Sequence, residues 1–397
     1  MEYHCDHLII GGGIMGLWLA SLLKQQGSSV LLVEQEALGN GQTVVSQGII
    51  HAGVKYQLGN KKDQLQQEVA LAASLWRKCF LGQGIFDLSS VPLLSSVYYL
   101  WQLPQVGLGA IKKAILSRAL KSVSKLVAPE AYPKALSYAK KQGFVLEVAE
   151  QVVDVSALLA HFASYLGSNA LLGVPQNFDQ DKNGHITAVT IAHGDKGMKI
   201  IPRHVYFTAG AGNAALLEQL KPGSNSALMQ RRPLQMVYYT FTKEETAEPL
   251  FMHALKGGTT PLFTITSHVN AKQELVWYIG GAVAEDPASR SSQAQIAYVM
   301  DQMQSHFPDI GWKKAQFRCF FIDRAEDAQP KGRRPLRAFN QVHANYNIIW
   351  PSKLTLAPLV AKSIVNHVKQ SKEADIAPCD VQDWPSPPCA LAPWDGD

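Results

Sequence analysis

The feature that most constrains this chain is its start, where an apolar run Leu8-Ile9-Ile10 passes directly into Gly-Gly-Gly-Ile-Met-Gly and then into the helical stretch LWLASLLKQQG. This order reads as a buried parallel strand, a tight turn and a helix. Gly11 permits the turn, Gly13 lets the backbone approach a pyrophosphate, and Gly16 lets helix and sheet pack closely. The helix N-terminus, at Ile14 and Met15, offers amide donors and a partial positive charge to phosphate. A second apolar strand, Val30 to Val33, ends in Glu34, whose carboxylate can accept both hydroxyls of an adenosine ribose. An acidic group there argues against a 2′-phosphate, since like charges repel. The glycine motif alone leaves open an ordinary turn in an unrelated βαβ unit; the second strand and its acid make a dinucleotide site the stronger reading.

The next stretch, LGNGQTVVSQGIIHAGVKYQLG, departs from the plain alternation of a nicotinamide-binding domain. It is a glycine- and hydroxyl-rich loop, an apolar pair and a histidine before Ala-Gly, followed by a polar helix from about Lys61 to Cys79. Here the chain resembles the D-amino-acid oxidase and glycerol-3-phosphate dehydrogenase superfamily, and through IIHAG it is most similar to the branch of 2-hydroxyglutarate dehydrogenases and oxidases. The resemblance implies FAD bound in extended form, with Thr43, Ser46 and Gln47 around the pyrophosphate and ribityl chain. It continues through EQVVDVSALLAHFASYLG, where Val153 is expected to give backbone contacts to adenine, and through HVYFTAGAGNAALLEQL, where Gly210 and Gly212 lie beside the dinucleotide. LVWYIGGAVAEDP resembles a strand of the substrate domain. IIWPSKLTLAPLVAKSIVNHV resembles the closing turn and helix, with Lys353, Leu354 and Thr355 near the flavin; a cation at Lys353 would stabilise charge gathering on reduced flavin. The similarity covers about residues 5 to 370.

The fold expected is α/β plus α+β: a Rossmann-like FAD-binding domain with an interleaved antiparallel-sheet substrate domain. The first is built from residues 1–80, 148–229 and 326–370. The second takes 81–147 and 230–325, where PLQMVYYTFT and LFTITSHV are rich in β-branched and aromatic residues at strand length. Residues 371–397 form a proline-rich tail with Trp384 and Trp394, expected to lie extended on the body with its tryptophans in grooves.

The mild net charge of +5 excludes little, but no acidic residue falls between Asp87 and Glu130, while Lys112, Lys113, Arg118, Lys121 and Lys125 do. Residues 110–127 read as a helix packed on the substrate domain with its basic face in water; a second reading lays that face on an anionic membrane surface. Nucleic-acid binding lacks an aromatic-basic motif. The five widely spaced cysteines suggest no metal site or disulfide scaffold and fit a cytoplasmic protein, with Cys379–Cys389 pairing the weaker alternative. The start is expected to be a buried strand and not an export signal, and no apolar run reaches spanning length.

The chemistry expected is oxidation of a small 2-hydroxy acid, with 2-hydroxyglutarate as a candidate. Oxidation of an amine, of an amino acid or of glycerol 3-phosphate, and a non-catalytic flavoprotein role, remain as alternatives. His51 is the expected base, with covalent flavin attachment or simple hydrogen bonding in the flavin shell as other readings. Lys55 and Arg324 are expected to hold a substrate carboxylate, with the Arg333-Arg334 pair, Arg318 and Tyr278 as weaker candidates. The electron acceptor is left open among oxygen, a quinone and an electron-transfer protein.

Overall fold

A computed structural model describes residues 2–51, 64–104, 124–221, 229–245, 247–256, 260–285, 290–328, 335, 337–368, 381 and 383–396. The N-terminal strand Glu2–Ile10 lies at the centre of an eight-stranded sheet, parallel to Val30–Glu34 on one side and to Lys196–Phe207 on the other. Side chains alternate across this sheet as the strand period demands. Ile9 and Leu32 face one apolar cluster, whereas Leu8, Ile10, Leu31 and Val33 face another. Because both faces are covered, these strands read as continuous apolar runs.

The first face is covered by the helices Ile14–Gln25, Val155–Leu166 and Ala357–Val368, which contribute Trp18, Phe162 and Ile364. Trp18 sits edge-on against Trp76, with ring centroids 4.4 Å apart. Asp154 caps the second helix by accepting a hydrogen bond from Ala157 N at 3.0 Å, a contact worth about 1 kcal/mol. The second face is covered by helix Asn213–Leu220 and by Trp384 of the tail. The long strand Lys196–Phe207 splits its outer edge: residues 196–200 pair antiparallel with 189–193, and Val205–Phe207 run parallel to Tyr346–Ile348.

The other large sheet also has eight strands, in the order 317–327, 229–240, 275–280, 263–269, 252–255, 98–102, 144–148 and 124–126. All neighbours are antiparallel except Met252–Leu255 with Tyr98–Gln102. Trp101, Val237, Tyr239, Trp277 and Ile279 pack on one face with helix Ser292–His306. Met236, Thr264 and His253 turn the opposite way, toward a cavity shared with the first sheet.

A small antiparallel sheet, Ile49–Ile50, Gln151–Val153 and Leu93–Ser95, joins the two halves. Its register pairs Ile50 with Gln151, so the residue after Ile50 and the residue before Gln151 meet across the strands. Those residues are His51 and Glu150.

One expectation is corrected here: Ser124–Leu126 form an edge strand paired with Phe144–Val148, so the end of the basic segment 110–127 is not helical. Residues 105–123, with the other four basic side chains, lie outside the described residues. No described helix is long and apolar enough to cross a membrane. Cys5, Cys79, Cys319 and Cys389 are free thiols, and Cys379 lies outside the described residues.

Candidate active site

A cavity of about 650 Å³ runs between the two large sheets, from the end of the second strand at Glu34 to His51, His253 and Lys353. Gly11 holds φ +110°, and a Cβ on it would fall 2.4 Å from Ala209 Cα. A Cβ on Gly16 would fall 2.0 Å from Gly11 O, so these two glycines are demanded by the protein's own packing. Gly13 differs. It lines the cavity, and a Cβ there would meet only Thr43 Oγ1, at 3.4 Å. The free space beside Gly13 therefore lies on the side where a bound group would approach.

Ile14 N donates to Thr43 Oγ1 at 3.0 Å, which ties the hydroxyl-rich loop to the start of the first helix. Met15 lines the same wall. The Glu34 carboxylate accepts from Gly12 N at 2.7 Å and from Glu36 N at 3.1 Å. Burial raises its pKa above the ordinary carboxylate value, opposed by the amide hydrogen bonds it accepts. Next to it the wall is formed by Gly173, Val174 and Pro175, and Gly173 N donates to Glu34 O at 2.8 Å.

Val153 is corrected. It is fully buried in the small sheet, donates its N–H to Gly48 O at 2.9 Å, and is not part of the cavity wall. The segment Gly173–Pro175 forms the cavity wall beside Glu34 instead. The expectation placed the adenine contact before the helix Val155–Leu166, whereas the cavity wall beside Glu34 comes from residues after that helix.

The middle of the cavity is walled by Gly210 and Gly212, which form a tight turn with Gly210 at φ +58°. Trp350 Nε1 donates to Gly210 O at 2.9 Å and fixes it. Gln47 spans the halves: its Nε2 donates to Tyr278 O at 3.0 Å and to Thr264 O at 3.3 Å. Tyr278, offered above as a weak substrate contact, is fully buried and donates its hydroxyl to Val45 O at 2.7 Å. The Ser46 hydroxyl is buried and has no partner among the described residues.

At the far end Lys353, 8% exposed, follows Ser352, which holds φ +61°. Lys353, Leu354 and Thr355 all line the cavity. Thr355 Oγ1 accepts from His51 N at 3.2 Å and donates to Ile49 O at 3.4 Å, so it anchors the strand that carries His51.

His51 Nδ1 lies 3.3 Å from Glu150 Oε2, with the glutamate side chain 2% exposed. A carboxylate at this nitrogen holds the ring hydrogen there and leaves Nε2 as the accepting nitrogen. His253 stacks on His51 with centroids 5.7 Å apart, and its Nδ1 is 2.8 Å from Thr264 Oγ1. Tyr98 packs on His253 at 4.7 Å. Its phenol pKa is pushed well up, by burial first and by the Glu150 charge second. One donor atom from each of His51, Glu150 and His253 falls within 4.8 Å of the others, a grouping able to hold a metal ion that the spacing of the sequence does not announce.

Arg324 lines the cavity, and its Nη1 is 3.4 Å from Glu285 Oε1. Glu285 also faces Arg232, which is held in turn by Glu326 at 2.9 Å. Arg324 is thus set in a charged network and is not an isolated cation. Arg318 donates to the carbonyls of Ala315 and Phe317. Lys55 and the Arg333-Arg334 pair lie outside the described residues.

Sequence reasoning missed Glu150 and His253. His253 had a faint signal, as a polar residue inside the apolar run Leu250–Leu255, where burial demands a partner. Glu150 had none, because its meaning depends on strand register.

Two sheets meeting over a glycine turn, an acid at the second strand end and a long shared cavity define a dinucleotide-binding oxidoreductase fold. The chain belongs to the family described as FAD dependent oxidoreductase, whose model matches residues 6–366. It is 35% identical over 391 residues to a probable FAD-dependent oxidoreductase of Pseudomonas aeruginosa, PA4991, covering 98% of this chain and 97% of that protein. The crystal structure of that relative superposes with a TM-score of 0.82 at 32% identity, covering 99% and 98% of the two chains. The fold is shared with L-proline dehydrogenase from P. horikoshii (TM-score 0.68, 15% identity, 94% and 95% covered). It is shared too with L-α-glycerophosphate oxidase from Mycoplasma pneumoniae, solved with FAD bound (TM-score 0.65, 14% identity, 92% and 95% covered). The protein is an FAD-dependent oxidoreductase, and its residues fit the cofactor: the space beside Gly13, the Glu34 carboxylate and the unpartnered Ser46 hydroxyl line one continuous wall.

Proposed function

We propose that the protein oxidises a small 2-hydroxy acid, with 2-hydroxyglutarate as the first candidate, to the corresponding 2-oxo acid. FAD, when bound, supplies the acceptor for the hydride that leaves C2. The observation that carries the reading is the pair His51 and Glu150 at the cavity. A hydroxyl must lose its proton as the hydride leaves, whereas a neutral amine can expel hydride using its own lone pair. A cavity imidazole backed by a buried carboxylate meets the first need within the hydride-transfer step itself, whereas an amine calls on a base only beforehand, to shed its ammonium proton. His51 takes the hydroxyl proton, and Glu150 stabilises the imidazolium that results. Arg324, held by Glu285, is assigned to the substrate carboxylate, for which its planar fork is suited. Lys55 is assigned to the same group as a second cation. Lys353 is assigned to the flavin, as a positive charge beside the ring.

Anaerobic bleaching of the oxidised flavin bands tests this. 2-Hydroxyglutarate, lactate, malate, glycerol 3-phosphate, glycine and sarcosine are presented in turn. Rapid bleaching by a hydroxy acid is expected. Bleaching by an amine or by glycerol 3-phosphate alone would overturn the assignment. Reoxidation of the bleached protein by oxygen or by a quinone then identifies the acceptor.

A further inference from the structure

The proline-rich tail has no part in the chemistry above, yet residues 383–396 pack behind the cavity wall, at its Glu34 end and behind the loop at its middle. Trp384, 6% exposed, donates its Nε1 to Leu172 O at 2.8 Å, and Leu172 N donates to Pro385 O at 2.8 Å. Leu172 ends the strand that leads into Gly173–Pro175, the wall beside Glu34. Farther along, Leu38 N donates to Pro388 O at 2.7 Å and Ala390 N donates to Leu38 O at 2.9 Å. Leu38 packs directly over the glycine turn, since a Cβ on Gly12 would fall 2.7 Å from its Cδ2, and the adjoining Gly39 N donates to Gly12 O at 2.8 Å. Later in the tail, Trp394 lies 5.2 Å from Tyr278 and 4.3 Å from His268 by ring centroids. Tyr278 is the residue whose hydroxyl holds Val45 O, in the loop at the middle of the cavity.

These contacts form a chain of rigid connections. The tail holds the wall beside Glu34 through Leu172, the glycine turn through Leu38, and the loop 43–48 through Tyr278. Its prolines lower the entropy lost on docking, so an extended segment can be held by few contacts. We infer that residues 383–396 are a built-in strap of the FAD site, with Trp384 and Trp394 as its positioning residues, so that docking of the tail and retention of FAD are coupled. Coupling of this kind is reciprocal: whatever the tail adds to FAD affinity, FAD adds to tail docking. The inference needs only the FAD assignment and is independent of the substrate.

The test uses the full chain first. Hydrogen exchange at the amides of Leu38, Leu172 and Ala390 is compared in apoprotein and holoprotein. Slowing of about 10-fold or more on adding FAD is expected, and equal exchange in both forms overturns the inference. Two variants then separate the anchors. Trp384→Ala should weaken FAD and ADP binding together, because it loosens the wall beside Glu34. Trp394→Ala should weaken FAD while leaving ADP binding unchanged, and should alter the shape of the visible flavin bands. Loss of thermal stability with FAD and ADP affinities unchanged in both variants would mean that the tail is packing alone. A chain ending at Asp380 should lose FAD faster than the full chain, and a peptide of residues 381–396 added in trans should slow that loss. If the shortened chain does not fold, the exchange comparison on the full chain decides the question.

Discussion

Replacing Glu150 by glutamine removes one charge from the site and almost nothing else. The amide is isosteric, so the small sheet keeps its packing and the register Ile50 to Gln151 is undisturbed. What is lost is the charged partner of His51 at 3.3 Å, in a pair whose side chains are 14% and 2% exposed. A hydrogen bond to a charged group in such surroundings is worth about 1.5–3 kcal/mol. Since the imidazolium exists only as the proton leaves the substrate, the loss falls on the transition state and not on binding, and it converts to a rate decrease of about 10- to 150-fold. Stopped-flow measurement of anaerobic flavin reduction at saturating 2-hydroxy acid reads this directly, with the substrate concentration at half-maximal rate expected to stay constant. Two controls belong with it: the visible spectrum, which reports that FAD is bound normally, and the melting temperature. Reduction of the variant within roughly twofold of the wild-type rate would refute the dyad and with it the choice of a hydroxyl over an amine. A large fall in bound flavin would show instead that Glu150 supports the cofactor wall.

Gly16→Ala should destabilise the apoprotein by about 1–3 kcal/mol or more, because the new methyl would lie 2.0 Å from a backbone oxygen; Gly13→Ala should leave apoprotein melting unchanged and weaken FAD binding, as flavin fluorescence titration would reveal. Arg324→Met should raise the substrate concentration needed for half-maximal reduction far more than it lowers the limiting rate, and equal effects on glycerol and on a hydroxy acid would deny it a carboxylate. His268 is buried, with its pKa pushed down to about 3 by desolvation, so the unfolded chain takes up a proton there that the folded chain refuses. Stability is therefore full above about pH 6.5 and lost as pH falls toward 3, by about 2 kcal/mol at pH 5; His268→Gln should flatten that part of the curve in urea titrations, and an unchanged slope would refute the assignment.

What could be read in the sequence is what is settled locally. Residues 8–34 announce strand, turn, helix and strand because each step has its own signal: an apolar run, glycines where no side chain fits, a 3.6-residue stripe and an acid at a strand end. The tail was legible in the same way, since tryptophans spaced among prolines cannot form a core of their own and must borrow one. The partner of His51 was not legible, for Glu150 lies 99 residues away and is brought there by an antiparallel register that no local pattern encodes. The misplaced Val153 has a related cause. A strand before a helix and a strand after it look alike in sequence, and only the pairing of Val30–Glu34 with Ala170–Leu172 decides which runs on to the wall at Glu34. Arg324 shows the converse limit: its position in the cavity wall accords with a substrate role, but its worth depends on Glu285 and Arg232, which sequence separation hid. The hydroxyl-rich loop joins the two cases. Thr43 caps the first helix, whereas Gln47 and the Val45 carbonyl are held by the second sheet, so one short segment ties the cofactor wall to the face that carries His253. Residues proposed to hold the cofactor are thus spread along the chain where local rules place them, while those proposed to act on substrate are assembled by the contact between the sheets.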